Sequence, residues 1–395
     1  MPYYRAVGEI PRKRHTQFRQ PDGSLYAEEL MGREGFSGNS ALLYHQGPPT
    51  ALVLAENWLV PDEVLAANQP LLPRHLKTGK LDSGPADIVT GRRLLLGNDD
   101  VRLSYAVAEL TSPLYRNARS DECVYVESGE AVVETIFGAL AVGPGDYVVL
   151  PASTTHRWVP RGPEPVRALV IEGRGSIGPP RRYLSADGQF LEQAPYCERD
   201  FRAPTEVLPA SGRDVEVLVR HGSHGTRYVF SHHPFDVVGW DGGLYPYALN
   251  IADFEPVVGR VHLPPPVHQT FEGPNFVVCS FCPRPFDFDP AAVPVPYNHA
   301  NVDSDEVLFY VGGDFMSRRG SGIEAGSISL HPAGFVHGPQ PGSVEAALGA
   351  GSAGKASGAG TEEWAVMVDT FAPLALGPAA AECEDPGYAW TWAVQ

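Results

Sequence analysis

The hydrophobic positions of this chain come in short runs that glycine and proline interrupt. Runs of β-branched and aromatic residues lie at 131–137 and 146–150, and the same pattern returns at 306–311, 327–330 and 364–371. Runs of this length, bounded by turn residues, predict β-strands. The chain also has 42 Gly and 38 Pro, which favours short strands joined by tight turns. We therefore predict an all-β dominated fold with few short helices.

An internal repeat divides the chain into two halves. The segment 115–122 (YRNARSDE) aligns with 299–306 (HANVDSDE), and the two share Asn, Ser, Asp and Glu in register. Further on, 145–151 and 326–332 both have the pattern Gly-x5-Pro, and a histidine follows each proline five residues later. A repeat of this length exceeds the period of solenoid proteins and indicates a duplicated β-barrel domain.

The spacings within the repeat resemble the two cupin motifs, His-x-His-x4-Glu-x6-Gly and Gly-x5-Pro-x-Gly-x2-His. The first copy keeps Glu122 and His156 but has Tyr115 at the position of the first histidine. The second copy has Asn301 at the position of the middle histidine. Its other motif positions match, and they are His299, Glu306, Gly313, Gly326, Pro332, Gly334 and His337.

This resemblance implies two cupin-like (jelly-roll) β-barrel units. The N-terminal unit, over 1–200, is expected to keep the fold but to hold no metal, because its ligand set is incomplete. The C-terminal unit, over 201–395, is expected to be the catalytic one.

The complete ligand set indicates which metal the second unit holds. His299, Glu306 and His337 would form a facial triad of two imidazoles and one carboxylate. Such a triad leaves neighbouring coordination positions open, and Fe(II) in oxygenases uses that arrangement. We therefore expect one Fe(2+) per chain. Asp305 is the rival carboxylate, and Glu306 is preferred because it fits both the repeat and the cupin spacing.

The residues around the triad are similar to motifs of the homogentisate 1,2-dioxygenase family. The family's Tyr-x-His-x-Asn, Ser-Leu-His and His-Gly-Pro correspond to 297–301, 329–331 and 337–339, and its Leu-Tyr-Ala-Glu-x-Leu-x-Gly corresponds to 25–32. The resemblance implies an enzyme that assembles as a trimer or a dimer of trimers, whereas the cytoplasmic location is expected from the scattered cysteines and the lack of a visible signal peptide. It also implies the reaction, in which both atoms of O2 enter homogentisate or a related hydroquinone-type aromatic to give a ring-opened keto acid.

The same resemblance suggests roles for four polar residues. His262 stands where the family has a proton-handling histidine, so it is the candidate general base for the substrate phenol, and His268 is the alternative base or a substrate contact. His331 is a candidate hydrogen-bond partner of the distal ring hydroxyl, or a residue that orients a metal ligand. Asn301 is a candidate contact for a substrate carboxylate, or it bonds to the backbone at the start of a strand.

Two positions depart from the family and leave the identity of the phenol open. Ala300 stands where the family has arginine after the first metal histidine, and Phe315 stands where a substrate-facing tyrosine is expected. Loss of a buried hydrogen-bond partner weakens the binding of an acidic substrate unless another group replaces it. Either a different cation or donor serves the carboxylate, or the substrate is less acidic than homogentisate.

Charge and composition disfavour several kinds of partner and site. The chain has 30 basic and 47 acidic residues, a net charge of −17, and no basic block, so we expect neither nucleic acid nor a membrane as a partner. No signal peptide or membrane-spanning run is visible.

The lone Cys-x2-Cys pair, Cys279 and Cys282, is interpreted as reduced thiols on strands rather than as a zinc site. Segment 342–360 is almost wholly Gly, Ala and Ser, which predicts a mobile surface loop.

Two rival functions use the same barrels. A bicupin isomerase or decarboxylase with Mn or Zn often has a fourth ligand, and Asn301 stands in its place. A non-catalytic protein with a structural metal would have a closed site, whereas the triad is open.

Overall fold

Strands dominate the computed structural model, which describes residues 3–60, 64–81, 84–354 and 360–393. In chain order they begin with β1 (Arg5–Gly8), β2 (Ala27–Gly32), β3 (Ser40–His45), β4 (Leu52–Trp58), β5 (Arg74–Lys77), β6 (Arg93–Gly97), β7 (Val101–Ala108), β8 (Tyr115–Asn117), β9 (Ser120–Ser128), β10 (Glu130–Thr135), β11 (Gly138–Val142), β12 (Asp146–Leu150), β13 (His156–Arg161) and β14 (Val166–Arg174). They continue with β15 (Val215–His221), β16 (His224–Phe230), β17 (Val237–Gly242), β18 (Tyr247–Asn250), β19 (Gln269–Gly273), β20 (Phe276–Phe281), β21 (Arg284–Pro285), β22 (Asp305–Gly312), β23 (Ser327–His331), β24 (Gly360–Thr361), β25 (Trp364–Thr370) and β26 (Ala375–Leu376).

Helices are few and short, as predicted. They are α1 (Ser343–Gly354), α2 (Pro378–Cys383) and single 3-10 turns at Glu34–Phe36, Thr78–Leu81, Arg181–Tyr183, Glu198–Asp200, Ile251–Asp253, Pro265–His268, Met316–Arg318 and Tyr388–Trp390. The prediction of a loop over 342–360 missed α1, whose alanines have a high helix propensity. Residues 355–359 of that segment lie outside the described residues. In the described part of the chain, no helix has the length and apolar character needed to cross a membrane.

The chain forms two compact units that alternate along the sequence. The described residues of the first unit are 3–60, 84–92 and 106–250, and those of the second are 64–81, 93–105, 251–354 and 360–393. The division therefore falls after Asn250 rather than after residue 200. The reason is strand pairing, because β15 pairs with β8 and β18 pairs with β12.

The first unit has three groups of paired strands. One sheet has the order β11-β10-β13-β8-β15-β16-β4, another contains β18-β12-β9-β14, and a third has the order β1-β17-β3-β2. The alternate residues Val124 and Val126 of β9 pack in one core with Val133 of β10 and Trp158 of β13. The short apolar runs of the sequence thus fill the interior of this barrel.

The second unit is built on a six-stranded sheet with the order β19-β20-β25-β22-β23-β5. Leu308 and Tyr310 of β22 pack with Cys279 of β20 and Met367 of β25. Cys279 lies in a strand, as predicted, and Cys282 directly follows that strand; both side chains are buried, and neither forms a disulfide within the described residues.

The sequence repeat occupies equivalent strands in the two units. In the first unit β9 lies between β12 and β14, and in the second β22 lies between β23 and β25. Gly129 and Gly313, the glycines after these central strands, both have positive φ, 74° and 86°, a backbone conformation that favours glycine. The turns of the repeat therefore conserve their backbone geometry.

Candidate metal centre

The alternation of side chains along β22 decides which acidic residue enters the interior. Glu306 lies on the same face as Leu308 and Tyr310, because side chains two residues apart share a face of a strand. Asp305 therefore lies on the opposite face. Its two carboxylate oxygens accept hydrogen bonds from the backbone N–H groups of Ala333 (2.8 Å) and Leu374 (2.7 Å).

The first unit uses its corresponding aspartate in the same way. Asp121 of β9 accepts hydrogen bonds from the backbone N–H groups of Ala152 (2.8 Å) and Ile177 (3.0 Å). The aspartate of the repeat thus ties a strand to two loops, and the following glutamate points inward.

Two histidines approach Glu306 from neighbouring backbone segments. His299 and His337 are joined by two backbone hydrogen bonds, each 2.8 Å long from nitrogen to oxygen. Their side chains are oriented alike, because Nδ1 of His299 lies 3.0 Å from the carbonyl oxygen of Tyr297 and Nδ1 of His337 lies 3.1 Å from that of Phe335. A carbonyl only accepts, so each Nδ1 carries the hydrogen and each Nε2 keeps a free lone pair.

The three side chains converge on one point. The Nε2 atoms of His299 and His337 lie 3.6 and 3.4 Å from the carboxylate oxygens of Glu306. Among the described residues, this is the one group of three His, Cys, Asp or Glu residues whose ligand atoms all lie within 4.8 Å of one another. Within that part of the chain, Nε2 of His337 is also buried without a hydrogen bond. Two imidazole lone pairs and a carboxylate in this arrangement fit a divalent transition metal.

The electrostatic surroundings keep Glu306 in its carboxylate form. Burial on its own would raise the pKa of this carboxyl, but the surrounding histidines outweigh that effect and hold the pKa well below its usual range. The charged form is the one that binds a metal.

His331 lies deeper than the triad and is fully buried. Its Nδ1 is 3.0 Å from Glu306 Oε1, its Nε2 is 3.0 Å from the hydroxyl of Tyr388, and its ring stacks on that of His337 at 4.2 Å. Burial lowers the pKa of His331 to about 3, so its ring is neutral. Since both ring nitrogens have partners inside the protein, this geometry favours the orientation of a metal ligand over contact with substrate.

Two residues that the sequence did not single out hold the backbone next to His337 in place. The buried guanidinium of Arg318 donates from Nε to the hydroxyl of Tyr310 (3.0 Å) and from Nη1 to the carbonyl of Gly338 (2.8 Å). Trp392 donates from Nε1 to the same carbonyl over 3.0 Å. A Cβ atom at position 338 would lie 2.8 Å from Cα of Asn298, so the glycine after His337 allows the two segments to approach closely.

A cavity in the second unit is lined by His262, His268 and Arg284. The ring of His262 lies 5.3 Å from the ring of Tyr297, which in turn lies 6.2 Å from the ring of His299. Burial lowers the pKa of His262, and it lowers the pKa of the more deeply buried His268 to about 3. The two candidate bases thus share one cavity, and Arg284, which the sequence did not single out, lies in it as well.

The remaining sequence-predicted positions lie close by but differ in surroundings. The backbone carbonyl of Asn301 accepts a hydrogen bond from Gly334 N–H over 2.7 Å, and among the described residues its side chain has no hydrogen-bond partner. The ring of Phe315 packs edge-on against Tyr310 at 5.1 Å, as part of the hydrophobic core. The position of the expected tyrosine is therefore used for packing.

The corresponding place in the first unit contains a cation. Both oxygens of Glu122 accept hydrogen bonds from the guanidinium of Arg92, at 2.8 and 2.7 Å, and the hydroxyl of Tyr115 adds a third at 3.1 Å. His156 pairs with Tyr115 in the strand register, as His337 does with His299 in the second unit. An arginine side chain thus neutralises the inward glutamate of the first unit.

Comparison with known proteins agrees with the sequence motifs. The cupin domain family matches residues 101–172. A Saccharolobus solfataricus protein named "Putative dioxygenase SSO1533" is 38% identical over 396 residues, which cover 99% of both chains. The homogentisate 1,2-dioxygenase of Emericella nidulans is 26% identical over 87% of this chain and 81% of its own, and that of Caenorhabditis elegans is 29% identical over 56% of this chain and 51% of its own. The chain therefore belongs to the homogentisate 1,2-dioxygenase family within the cupin superfamily.

Proposed function

We propose that this protein is a non-haem Fe(II) ring-cleaving dioxygenase of hydroquinone-type aromatics, homogentisate or a close relative. His299, Glu306 and His337 would hold one iron per chain. The observation that carries the proposal is the convergence of two imidazole Nε2 atoms and one buried carboxylate, within 4.8 Å of one another. The relatives named as dioxygenases support the same reaction type.

The metal would bind the reactants, and the side chains of the protein would handle the proton and orient the ligands. A bound ferrous ion would template the phenol and O2 and lower the pKa of the phenol. His262 would accept the phenol proton on an imidazole nitrogen, since burial lowers its pKa and keeps the ring neutral near pH 7. His268, with a pKa of about 3, is a much weaker base, which favours His262. His331 would hold Glu306 in its orientation.

The experiment is oxygen uptake by protein that has been reconstituted with Fe(II) under anaerobic conditions. The substrates are homogentisate, gentisate, hydroquinone, catechol and 3-hydroxyanthranilate. We expect uptake and a ring-opened product with homogentisate or another para-dihydroxylated ring, and loss of both in His337→Ala. If the iron-loaded protein turned over none of these phenols, ring cleavage would be excluded and an isomerase or decarboxylase would become the leading alternative.

We also propose that the protein is a homo-oligomer, a trimer or a dimer of trimers, on the basis of its family. Multi-angle light scattering at assay concentration tests this directly. A single species with the mass of one chain, 42.6 kDa, would contradict it.

A further inference from the structure

The cavity beside the proposed metal centre is lined by one arginine, Arg284, that is not paired with a carboxylate in the described part of the chain. The side chain of Arg284 lies over the ring of Phe281, with the guanidinium carbon 5.7 Å from the ring centroid, and Nη1 donates to the carbonyl oxygen of Cys282 over 3.1 Å. In the described part of the chain, no carboxylate forms an ion pair with it. The guanidinium is thus held in position while most of its donors stay available.

The position of Arg284 relates it to both the candidate base and the metal ligands. It lines the same cavity as His262 and His268, and its charge reaches both rings, where it adds to the effect of burial in lowering their pKa values. His262 is in turn close enough to His299 to sense its charge. A ring bound between the metal and His262 would therefore lie within the field of this arginine.

Two acidic residues line the cavity too, and they bear on whether the cation is available. Burial raises the pKa of Glu363, against the opposing effect of Arg284 and Arg318, so this carboxyl is a weaker competitor for the guanidinium than an ordinary glutamate. Asp287 acts on His262, whose pKa it raises.

The family positions that would supply polar groups to the substrate are apolar in this chain. Ala300 has no polar side-chain atom, and Phe315 packs in the core. An acidic substrate needs a cation elsewhere, because a buried carboxylate without a partner is strongly unfavourable. Arginine is suited to this role since its planar fork binds a carboxylate with two parallel hydrogen bonds.

We infer that Arg284 is a specificity-determining residue that binds a carboxylate on the side chain of the aromatic substrate. This inference rests on the proposed function and narrows it, since the substrate becomes an aromatic acid rather than a neutral hydroquinone. The carboxylate would be held on the cavity side of the ring, and the reacting hydroxyl would face the triad.

The test is equilibrium binding to the iron-loaded protein without oxygen, measured by calorimetry. The ligands are 4-hydroxyphenylacetate, an anion, and 4-methylphenol, its neutral counterpart. We expect Arg284→Gln to weaken binding of the anion by roughly 10- to 100-fold and to leave the neutral ligand unchanged. Arg284→Lys should fall between the wild type and Arg284→Gln, because it keeps the charge but loses the fork.

The matched control is Arg260→Gln, which makes the same change of charge at an exposed side chain of the second unit that pairs with Asp289. It should bind both ligands as the wild type does, and all variants should keep their iron and their melting temperature. Any of three results would overturn the inference. These are equal binding of the anion by the wild type and Arg284→Gln, an equal loss of affinity for both ligands in Arg284→Gln, and no preference of the wild type for the anion. Oxygen uptake separates the two proposals: selective anion binding without turnover of any phenol would refute only the dioxygenase, and turnover without an effect of Arg284→Gln would refute only the carboxylate site.

Discussion

Two adjacent acidic residues of β22 have opposite roles because a strand presents successive side chains to opposite faces. Asp305 ties two loops to the strand through backbone N–H groups, and Glu306 reaches the histidines. The same Asp-Glu pair recurs as Asp121 and Glu122 in the first unit. In both units the aspartate has a structural role, and among the described residues only the glutamate of the second unit lies beside two histidines.

The two acids can be separated by substitution. Glu306→Gln should abolish iron binding, because it removes the charged ligand that lies between the two histidines. Asp305→Ala should keep the iron but lower the free energy of unfolding by about 2 to 4 kcal/mol, because two backbone donors lose their acceptor. Metal analysis and urea unfolding measure both effects, and the reverse pattern would refute the assignment of Glu306 over Asp305.

Tyr388 tests whether the residues behind the triad tune the metal. Tyr388→Phe removes the hydroxyl that bonds His331 Nε2 and leaves the ring in place. Loss of such an outer partner typically weakens metal binding by about 10- to 100-fold, so we expect a loss in that range in a competition with a chelator. Tyr26→Phe, at a ring that packs on Phe18 in the first unit, is the control. Unchanged iron affinity in Tyr388→Phe would mean that His331 needs no partner at Nε2.

One buried histidine of the first unit links β2 and β3 to the segment that leads into β17. His45 at the end of β3 has Nδ1 2.6 Å from Asp236, just before β17, and Nε2 3.1 Å from Glu29 of β2. Burial opposes its charge, but these two carboxylates outweigh burial and raise the pKa of His45 to about 9. The ring is therefore charged at neutral pH and joins strands that are far apart in sequence.

This raised pKa predicts how stability changes with pH. A folded-state pKa of about 9, above the ordinary value of 6.5, gives a stabilisation that is complete below pH 6.5 and is lost as the pH rises through 9. The loss should be on the order of 3 kcal/mol at most. Unfolding curves between pH 6 and 10 measure it, and His45→Gln should remove most of the dependence. An equally steep decline in that variant would locate the effect elsewhere.

The first unit's inward glutamate depends on an arginine instead of a metal. Arg92→Met would leave Glu122 buried without its cation, which typically costs about 3 to 5 kcal/mol. The double variant Arg92→Met/Glu122→Gln should recover much of this loss. The control Arg93→Met affects a partly exposed pair with Glu382 and should change the free energy of unfolding by less than about 1 kcal/mol. Unchanged stability in Arg92→Met would refute the role of Arg92 as the partner of Glu122.

Across the whole chain, the sequence predicted the features that rest on local pattern and on the repeat. The predicted runs at 146–150, 327–330 and 364–371 lie on β12, β23 and β25, and the family was identified from its motifs. These signals are contained in a few adjacent residues. The helix over Ser343–Gly354 differs from the loop that its Gly, Ala and Ser composition predicts, because its alanines have a high helix propensity.

The residues that could not be predicted are the ones that the fold brings from far along the chain. Tyr388 lies 57 residues from His331, and Arg92 lies 30 residues from Glu122, with no motif at either position. The division after Asn250 likewise depends on which strands pair, and a linear pattern does not reveal that. Such contacts follow from topology, so only the three-dimensional arrangement identifies them.

We propose that His299, Glu306 and His337 hold an iron that directs both atoms of O2 into an aromatic ring. The most direct measurement is mass spectrometry of the product formed under labelled oxygen by protein reconstituted with Fe(II), with rapid quenching to limit exchange of the keto oxygen with water. We predict a ring-opened keto acid from homogentisate or a related aromatic acid that carries both labelled atoms, and no such product from His337→Ala at equal protein concentration. A product with one labelled atom or none after quenching, or equal product from His337→Ala, would refute this role of the three residues.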